Sequence, residues 1–137
     1  RVPRVEGDVI LVPAGDGRAA GRVAAFLKLA ARQRLQGACE RYAGQVVRPF
    51  RKITLRATRS RWGSCAADGS LMFSWRLIMA PAEVLDYVAA HEVAHLVEMN
   101  HAPEFWAVVS GLMPDYARHR RWIRTHGAGL HGYSFSD

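Results

Sequence analysis

His91-Glu92-Val93-Ala94-His95 is the stretch that decides how the rest of this 137-residue chain is interpreted. It matches the HExxH pattern. On a helix, residues four positions apart lie on one face, so both imidazoles can reach one cation at the ~2.1 Å that a zinc–nitrogen bond requires. Glu92 then lies near the metal without having to bind it. From there its carboxylate can take a proton from a metal-bound water.

The residues around the motif place it on the inward side of a helix. Val84 and Val88 continue the stripe formed by His91 and His95, and a helix is predicted over about 81–99 because a proline opens it. Burying two imidazoles and a carboxylate without partners would be costly, and a metal ion removes that cost. The alternative is two hydrogen-bonded core histidines beside a chance glutamate.

A catalytic zinc usually has three protein ligands and one open position. His101 lies six residues after His95, which is the spacing of the third ligand in HExxHxxGxxH, although Glu98 stands where that pattern has glycine. Asn100 is expected to make the turn, since Asn tolerates the left-handed conformation that ends helices. The other candidates for the third ligand are Glu98, Glu104, Asp115 and His119.

Groups that orient the ligands or stabilise developing charge are also expected nearby. The candidates for orienting the ligands are Glu98, Asn100 and Asp115. The candidates for an oxyanion donor are Arg61, Tyr116 and a backbone group near Gly63. For Tyr116 a packed aromatic is the favoured alternative.

The remaining pattern predicts an α+β domain over residues 1–137, with a small, mostly antiparallel sheet and helices packed on one side. Helices are predicted at 18–47, 81–99, 103–112 and 114–126, and strands at 9–12, 53–58 and 70–76. The two longer strands are expected to pair antiparallel around an irregular connection. Gly127 and Gly129 are expected to end the last helix.

Composition narrows the class of protein. The net charge is +7, and residues 41–76 alone hold 8 basic and 1 acidic side chains, which suits either a nucleotide or nucleic-acid partner or an ordinary solvated face. No stretch approaches the ~20 apolar residues of a membrane span. Cys39 and Cys65 are predicted to be free thiols, which favours a cytoplasmic location.

Several ordered motifs resemble the YgjP-like metallopeptidase domain family, which is related to the SprT-like and WLM peptidases. They are RWGSC at 61–65, WRLI at 75–78, AP at 80–81, YV at 87–88, HEVAHL at 91–96, NH at 100–101 and FW at 105–106. The resemblance covers about residues 18–133. It implies a zincin-like fold with one zinc ion on His91, His95 and His101, and Glu92 as catalytic acid/base. This sequence departs from the family in its N-terminal strands, which are expected to be shortened.

The favoured function is therefore a zinc metallopeptidase acting on a peptide or protein, whose strand at 71–75 is a candidate edge for substrate pairing. Two alternatives keep the metal. One is a nucleotide phosphohydrolase whose phosphates are bound by arginines, namely Arg56, Arg59, Arg61 and Arg76. The other is a protease recruited to DNA by the basic segment, by analogy with SprT-like proteins. A structural zinc site ranks last, because such sites usually have four ligands.

Overall fold

The computed structural model describes residues 4–6, 9–11, 19–58 and 60–131, with side chains at 19–58 and 60–130. Four helices and one 3₁₀ helix alternate with five strands in this part of the chain. They are β1 Arg4–Glu6, β2 Val9–Leu11, α1 Ala19–Val46, β3 Lys52–Arg56, β4 Gly63–Cys65, β5 Ser70–Ser74, the 3₁₀ helix Trp75–Met79, α2 Ala82–Ala94, α3 Pro103–Leu112 and α4 Tyr116–His131. The predicted α+β class is confirmed.

The main sheet has the order β3-β5-β4, and β1 and β2 form a separate antiparallel pair. Lys52 of β3 pairs with Ser70 of β5 in a parallel register, whereas Gly63 of β4 pairs with Phe73 in an antiparallel one. The prediction that the two longer strands pair antiparallel is therefore wrong. The connection between them contains β4, which takes the antiparallel position beside β5, and the sheet is mixed.

Helix α1 forms as its apolar spacing predicts, and it packs its buried face against α2 and the 3₁₀ helix. Its buried residues recur every three or four positions, as in Leu27, Ala31, Leu35 and Ala38. Completely buried Phe73 and Trp75 extend this core to the sheet. The core thus lies directly behind the helix that carries the HExxH motif.

Helix α2 ends at Ala94, five residues before the predicted end. The N–H of His95 donates to the carbonyl of Glu92 at 3.1 Å, and those of Leu96 and Val97 also bond three residues back. These tighter turns close the helix early, because they use the carbonyls that further helical bonds would need. The loop toward α3 therefore begins at His95, and the expected turn at Asn100 is not what ends the helix.

Helix α4 continues to His131, so the prediction that Gly127 and Gly129 end it is wrong. Gly127 is buried, and a Cβ there would lie 3.1 Å from Trp62 Cζ2. This glycine therefore allows α4 to approach Trp62 closely. The Arg76 guanidinium donates to the carbonyl of Leu130 at 3.3 Å, which holds the end of α4 to the core.

Helix α3 matches its predicted range, with Pro103 in its first turn. Among the helices that the structure describes, none has a hydrophobic stretch of the length needed to cross a membrane.

Candidate metal centre

Three imidazoles converge at the C-terminal end of α2. His91 lies in the last turn of α2, His95 is the residue that caps this helix, and His101 reaches them from the loop before α3. Their ligand nitrogens all lie within 4.8 Å of one another, and Nε2 of His91 and Nε2 of His101 are 3.3 Å apart. Two nitrogens bound to one tetrahedral zinc at ~2.1 Å lie about 3.4 Å apart. The donor set and this spacing therefore fit a zinc ion.

Aromatic side chains from the first turn of α3 support the three rings. Phe105, completely buried, stacks on His95 with centroids 4.3 Å apart, and meets His91 edge-on at 4.9 Å. The Trp106 ring also meets His91 edge-on, with the two ring centroids 5.6 Å apart. These contacts restrict the rings to a narrow range of orientations, so the imidazoles are arranged before a cation binds.

The ring nitrogens of His91 and His95 that face away from the cluster have hydrogen-bond partners of their own. Nδ1–H of His95 donates to the backbone carbonyl of Glu98 at 3.0 Å. Nδ1 of His91 lies 3.3 Å from the hydroxyl oxygen of Tyr87, and it donates to this oxygen in the tautomer that leaves Nε2 free for a metal ion. In these tautomers Nε2 of each ring carries the free lone pair that a metal ion needs. Glu98 thus contacts the site through its backbone, and Tyr87 is a contact that the sequence analysis missed.

Burial keeps the imidazoles of His91 and His95 neutral. Together with smaller effects of the neighbouring His95 and His101, it lowers the pKa of His91 to about 3. Burial also lowers the pKa of His95, which is 9% exposed. At neutral pH both rings are therefore unprotonated, which is the form that binds a cation.

Glu92 is the buried carboxyl group beside the triad. It is 5% exposed, and burial raises its pKa to about 8 against the opposing effect of the Arg61 charge. Within the described residues its carboxylate has no hydrogen bond or ion pair. A buried carboxyl without a partner is costly to the fold, and such groups cluster at functional sites.

Strand β4 packs closely against this carboxyl group. A Cβ on Gly63 would lie 2.9 Å from Glu92 Cγ and 3.0 Å from Glu92 Oε2. The glycine of the RWGSC motif therefore leaves the space that the Glu92 side chain occupies. Among the described strands β4 is at the edge of the sheet, so the Glu92 side chain packs against a strand that is paired on one side only.

The other candidates for the third ligand lie outside the triad. Nε2 of His119 is 3.1 Å from the carboxylate of Asp115, so these two side chains interact with each other. Glu104 is exposed on α3, and Asn100 is exposed in the loop. Among the described residues only the three imidazoles form a cluster suited to a metal ion. Tyr116 stacks on Trp106 with centroids 5.4 Å apart, as the packed-aromatic alternative expected.

The arginines predicted to bind phosphates do not form one cluster. Arg76 is buried, lies 4.8 Å from the Trp75 ring and bonds the carbonyl of Leu130. Arg56 is exposed on β3, at the opposite edge of the sheet from β4. Arg59 lies outside the described residues. Of the three that the structure describes, Arg61 alone has a charge that acts on Glu92.

The strand at 71–75, which was predicted to be an edge that pairs with substrate, is not at an edge of the sheet. Strand β5, which covers most of 71–75, is central in the sheet and is bonded on both sides. An additional strand cannot pair with it. The edge beside Glu92 is β4, which is only three residues long and has too little periodicity to be recognised in the sequence.

The comparison with known proteins agrees with this geometry. The YgjP-like metallopeptidase domain family matches residues 8–126. Among solved structures, the fold is similar to that of the metallopeptidase zymogen of Pyrococcus abyssi abylysin, with a TM-score of 0.60 and 20% sequence identity, over 66% of this chain and 92% of that chain. No curated protein matches the chain significantly.

The family match spans most of the chain and includes the His triad and Glu92. The structural likeness agrees with it at the level of the fold. The chain therefore belongs to the YgjP-like metallopeptidase domain family.

Proposed function

We propose that this metallopeptidase domain binds one zinc ion through His91, His95 and His101 and hydrolyses peptide bonds with Glu92 as general base. The observation that carries the proposal is the convergence of three imidazoles beside a buried carboxyl group that has no hydrogen bond or ion pair among the described residues. Three imidazoles also suit other first-row ions, and zinc is favoured because it is the usual metal of catalytic sites with this ligand set.

The protein supplies the positions and the proton transfer. When bound, zinc supplies Lewis acidity, which polarises the peptide carbonyl. Glu92 accepts a proton from the attacking water and then donates it to the amine of the leaving group. Burial raises the pKa of Glu92 in the metal-free chain, and the positive charge of a bound metal ion would favour the ionised carboxylate that accepts this proton. Arg61 and the backbone near Gly63 are the candidates for binding the charge that develops on the carbonyl oxygen.

We also propose that an extended segment of the protein substrate pairs with β4. This strand is at the edge of the sheet and packs against Glu92, so a peptide added there would pass beside the carboxyl group.

We further propose that residues 1–137 form one domain, and that it acts in the cytoplasm. Both cysteines, Cys39 and Cys65, are free thiols, which supports a reducing location.

The first test measures metal content and hydrolysis together. Wild type and Glu92→Gln are each expected to carry about one zinc per chain, and only the wild type is expected to cleave casein or a peptide panel. Glu104→Gln is a matched control, because Glu104 is an exposed glutamate of α3 outside the triad.

Two results would contradict the proposal. One is wild-type protein that binds no metal even when zinc is offered. The other is Glu92→Gln protein that cleaves peptides as fast as the wild type. Release of phosphate from nucleoside triphosphates, with no peptide cleavage, would retain the metal site and replace the substrate class.

A further inference from the structure

A groove with a volume of about 190 Å³ borders the candidate metal centre on one side. One wall is the segment that follows α2, and it includes His95, Leu96 and Met99. The opposite wall is the turn between β4 and β5 at residues 66–69. Arg48 and the proline after it, in the loop between α1 and β3, complete the rim.

We propose that this groove binds an acidic side chain of the peptide substrate, with Arg48 binding its carboxylate. The proposal rests on the peptidase function proposed above and adds a preference for one class of residue near the cleaved bond. It requires that the groove admits a side chain from the metal centre, that its size suits one side chain, and that Arg48 is available.

The position of the groove satisfies the first requirement. His95, a candidate metal ligand, and Cys65, the last residue of the edge strand β4, both line it. A peptide paired along β4 directs alternate side chains to one face of the sheet. One of these side chains can enter the groove while the backbone passes the triad.

Its size and walls satisfy the second requirement. Pockets that hold a whole drug-sized ligand are larger, at roughly 300–1,000 Å³. Leu96 is half-buried and Met99 is 45% exposed, and these two residues supply an apolar part of a lining that is otherwise mainly polar. These walls suit the methylene part of a glutamate, while the carboxylate reaches the rim.

The charges around the groove satisfy the third requirement. Asp68 lines it, but its carboxylate accepts from Arg51 at 2.6 Å and from the Ser70 N–H at 3.0 Å. The guanidinium of Arg48 has a hydrogen bond to the Val47 carbonyl at 3.3 Å and no carboxylate partner among the described residues. The cation that remains for a substrate is therefore Arg48.

The backbone before Arg48 is held in an unfavourable conformation. Val47 has φ 55°, which β-branched residues rarely adopt, and its side chain is 78% exposed. The Arg48 N–H donates to the Ala43 carbonyl at 3.1 Å and closes the end of α1 in this geometry. The chain thus turns sharply at Val47, and the turn delivers Arg48 to the rim of the groove.

The test uses an amidated peptide that the wild type cleaves, in which each position near the cut is replaced in turn by Glu, Gln or Lys. At one position the wild type is expected to cleave the Glu peptide with a kcat/KM about threefold to tenfold above that of the Gln peptide. Arg48→Gln should remove this preference, and Arg48→Glu should favour Lys at the same position. Arg121→Gln, an exposed arginine of α4, is the matched control.

The outcomes separate this inference from the function on which it rests. If the wild type cleaves no peptide, both fail. If it cleaves peptides without a preference for Glu, or if Arg48→Glu keeps that preference while its zinc content is unchanged, only the groove proposal fails. A preference that appears solely for peptides with a free C-terminus would also overturn it, since the groove would then bind the chain end.

Discussion

The position of the Glu92 carboxyl group depends on Gly63, because this glycine has only a hydrogen atom where any other residue has a Cβ. The two residues come from different elements, β4 and α2, and no space remains between them for a methyl group. The carboxyl group is held by this packing, because it has no hydrogen-bond partner among the residues that the structure describes. Its position therefore depends on the absence of a Cβ in the neighbouring strand.

We expect Gly63→Ala to lower kcat at least tenfold while the chain still binds zinc. The new Cβ would lie 2.9 Å from Glu92 Cγ and 3.2 Å from the Met72 carbonyl oxygen. The Met72 backbone cannot easily move, so the Glu92 side chain has to shift to relieve the contact. Steady-state kinetics and metal content measure the two effects. Gly111→Ala is the control, since nothing lies within 4 Å of its Cβ position. Unchanged kcat in Gly63→Ala would contradict the packing argument.

The sequence identified the three imidazoles and Glu92 because helical spacing constrains them directly. Tyr87 was missed although it lies four residues before His91 on the same helix, the same spacing that links the two metal-ligand candidates. The YV motif at 87–88 includes it but assigns it no contact. Gly63 could be assigned only a vague role, because the neighbour that it makes room for is 29 positions away in the chain.

The same limit applies to whole elements. Periodicity predicted α1 and α3 closely, because it reports which face of a helix is buried. Alternation does not report strand direction, so the parallel pairing of β3 and β5 could not be deduced from it. The end of α4 was predicted too early, because glycine is also used inside a helix where another element approaches closely.

Gly127 and Gly129 of α4 allow a direct test of this use of glycine. Gly127→Ala is expected to lower the free energy of unfolding by about 1 kcal/mol, because its Cβ would lie 3.1 Å from the rigid Trp62 ring. Gly129→Ala should instead raise it by about 0.5–1 kcal/mol, since nothing lies within 4 Å and alanine favours the helix. Urea denaturation of the two variants measures the difference. If Gly127→Ala is the more stable variant, the contact with Trp62 does not explain that glycine.

At the scale of the whole molecule, the buried ionisable groups of the site lower the stability of the folded protein. The core formed by α1, α2 and β5 holds two imidazoles neutral and leaves one carboxyl group without a partner. The fold class and the position of the motif helix were predicted from the sequence, because a buried HExxH stripe requires a core behind it. The energetic consequence is a pH dependence that the metal-free protein should show and that zinc should offset.

Two opposite effects of pH follow from the shifted pKa values. The pKa of His91 is lowered from 6.5 to about 3, so the stability that its neutral form contributes is present above pH 6.5 and is lost as pH falls. The pKa of Glu92 is raised from 4.5 to about 8, so the stability that its protonated form contributes is present below pH 4.5 and is lost as pH rises toward 8. Above pH 6.5 the Glu92 effect therefore acts without opposition from His91.

We expect the free energy of unfolding of the metal-free protein to fall by about 2 kcal/mol between pH 6.5 and 8, since one proton per molecule is worth ~1.4 kcal/mol per pH unit. Glu92→Gln should remove most of this fall, because its side chain does not ionise. Zinc at about 1,000 times its Kd should add about 4 kcal/mol to either protein, and a chelator should reverse the gain. Urea denaturation across this pH range, with and without zinc, measures all three. Equal pH dependence in the wild type and Glu92→Gln would mean that the Glu92 carboxyl group is ionised in the folded protein across this range, and that a contact or solvent access stabilises its charge.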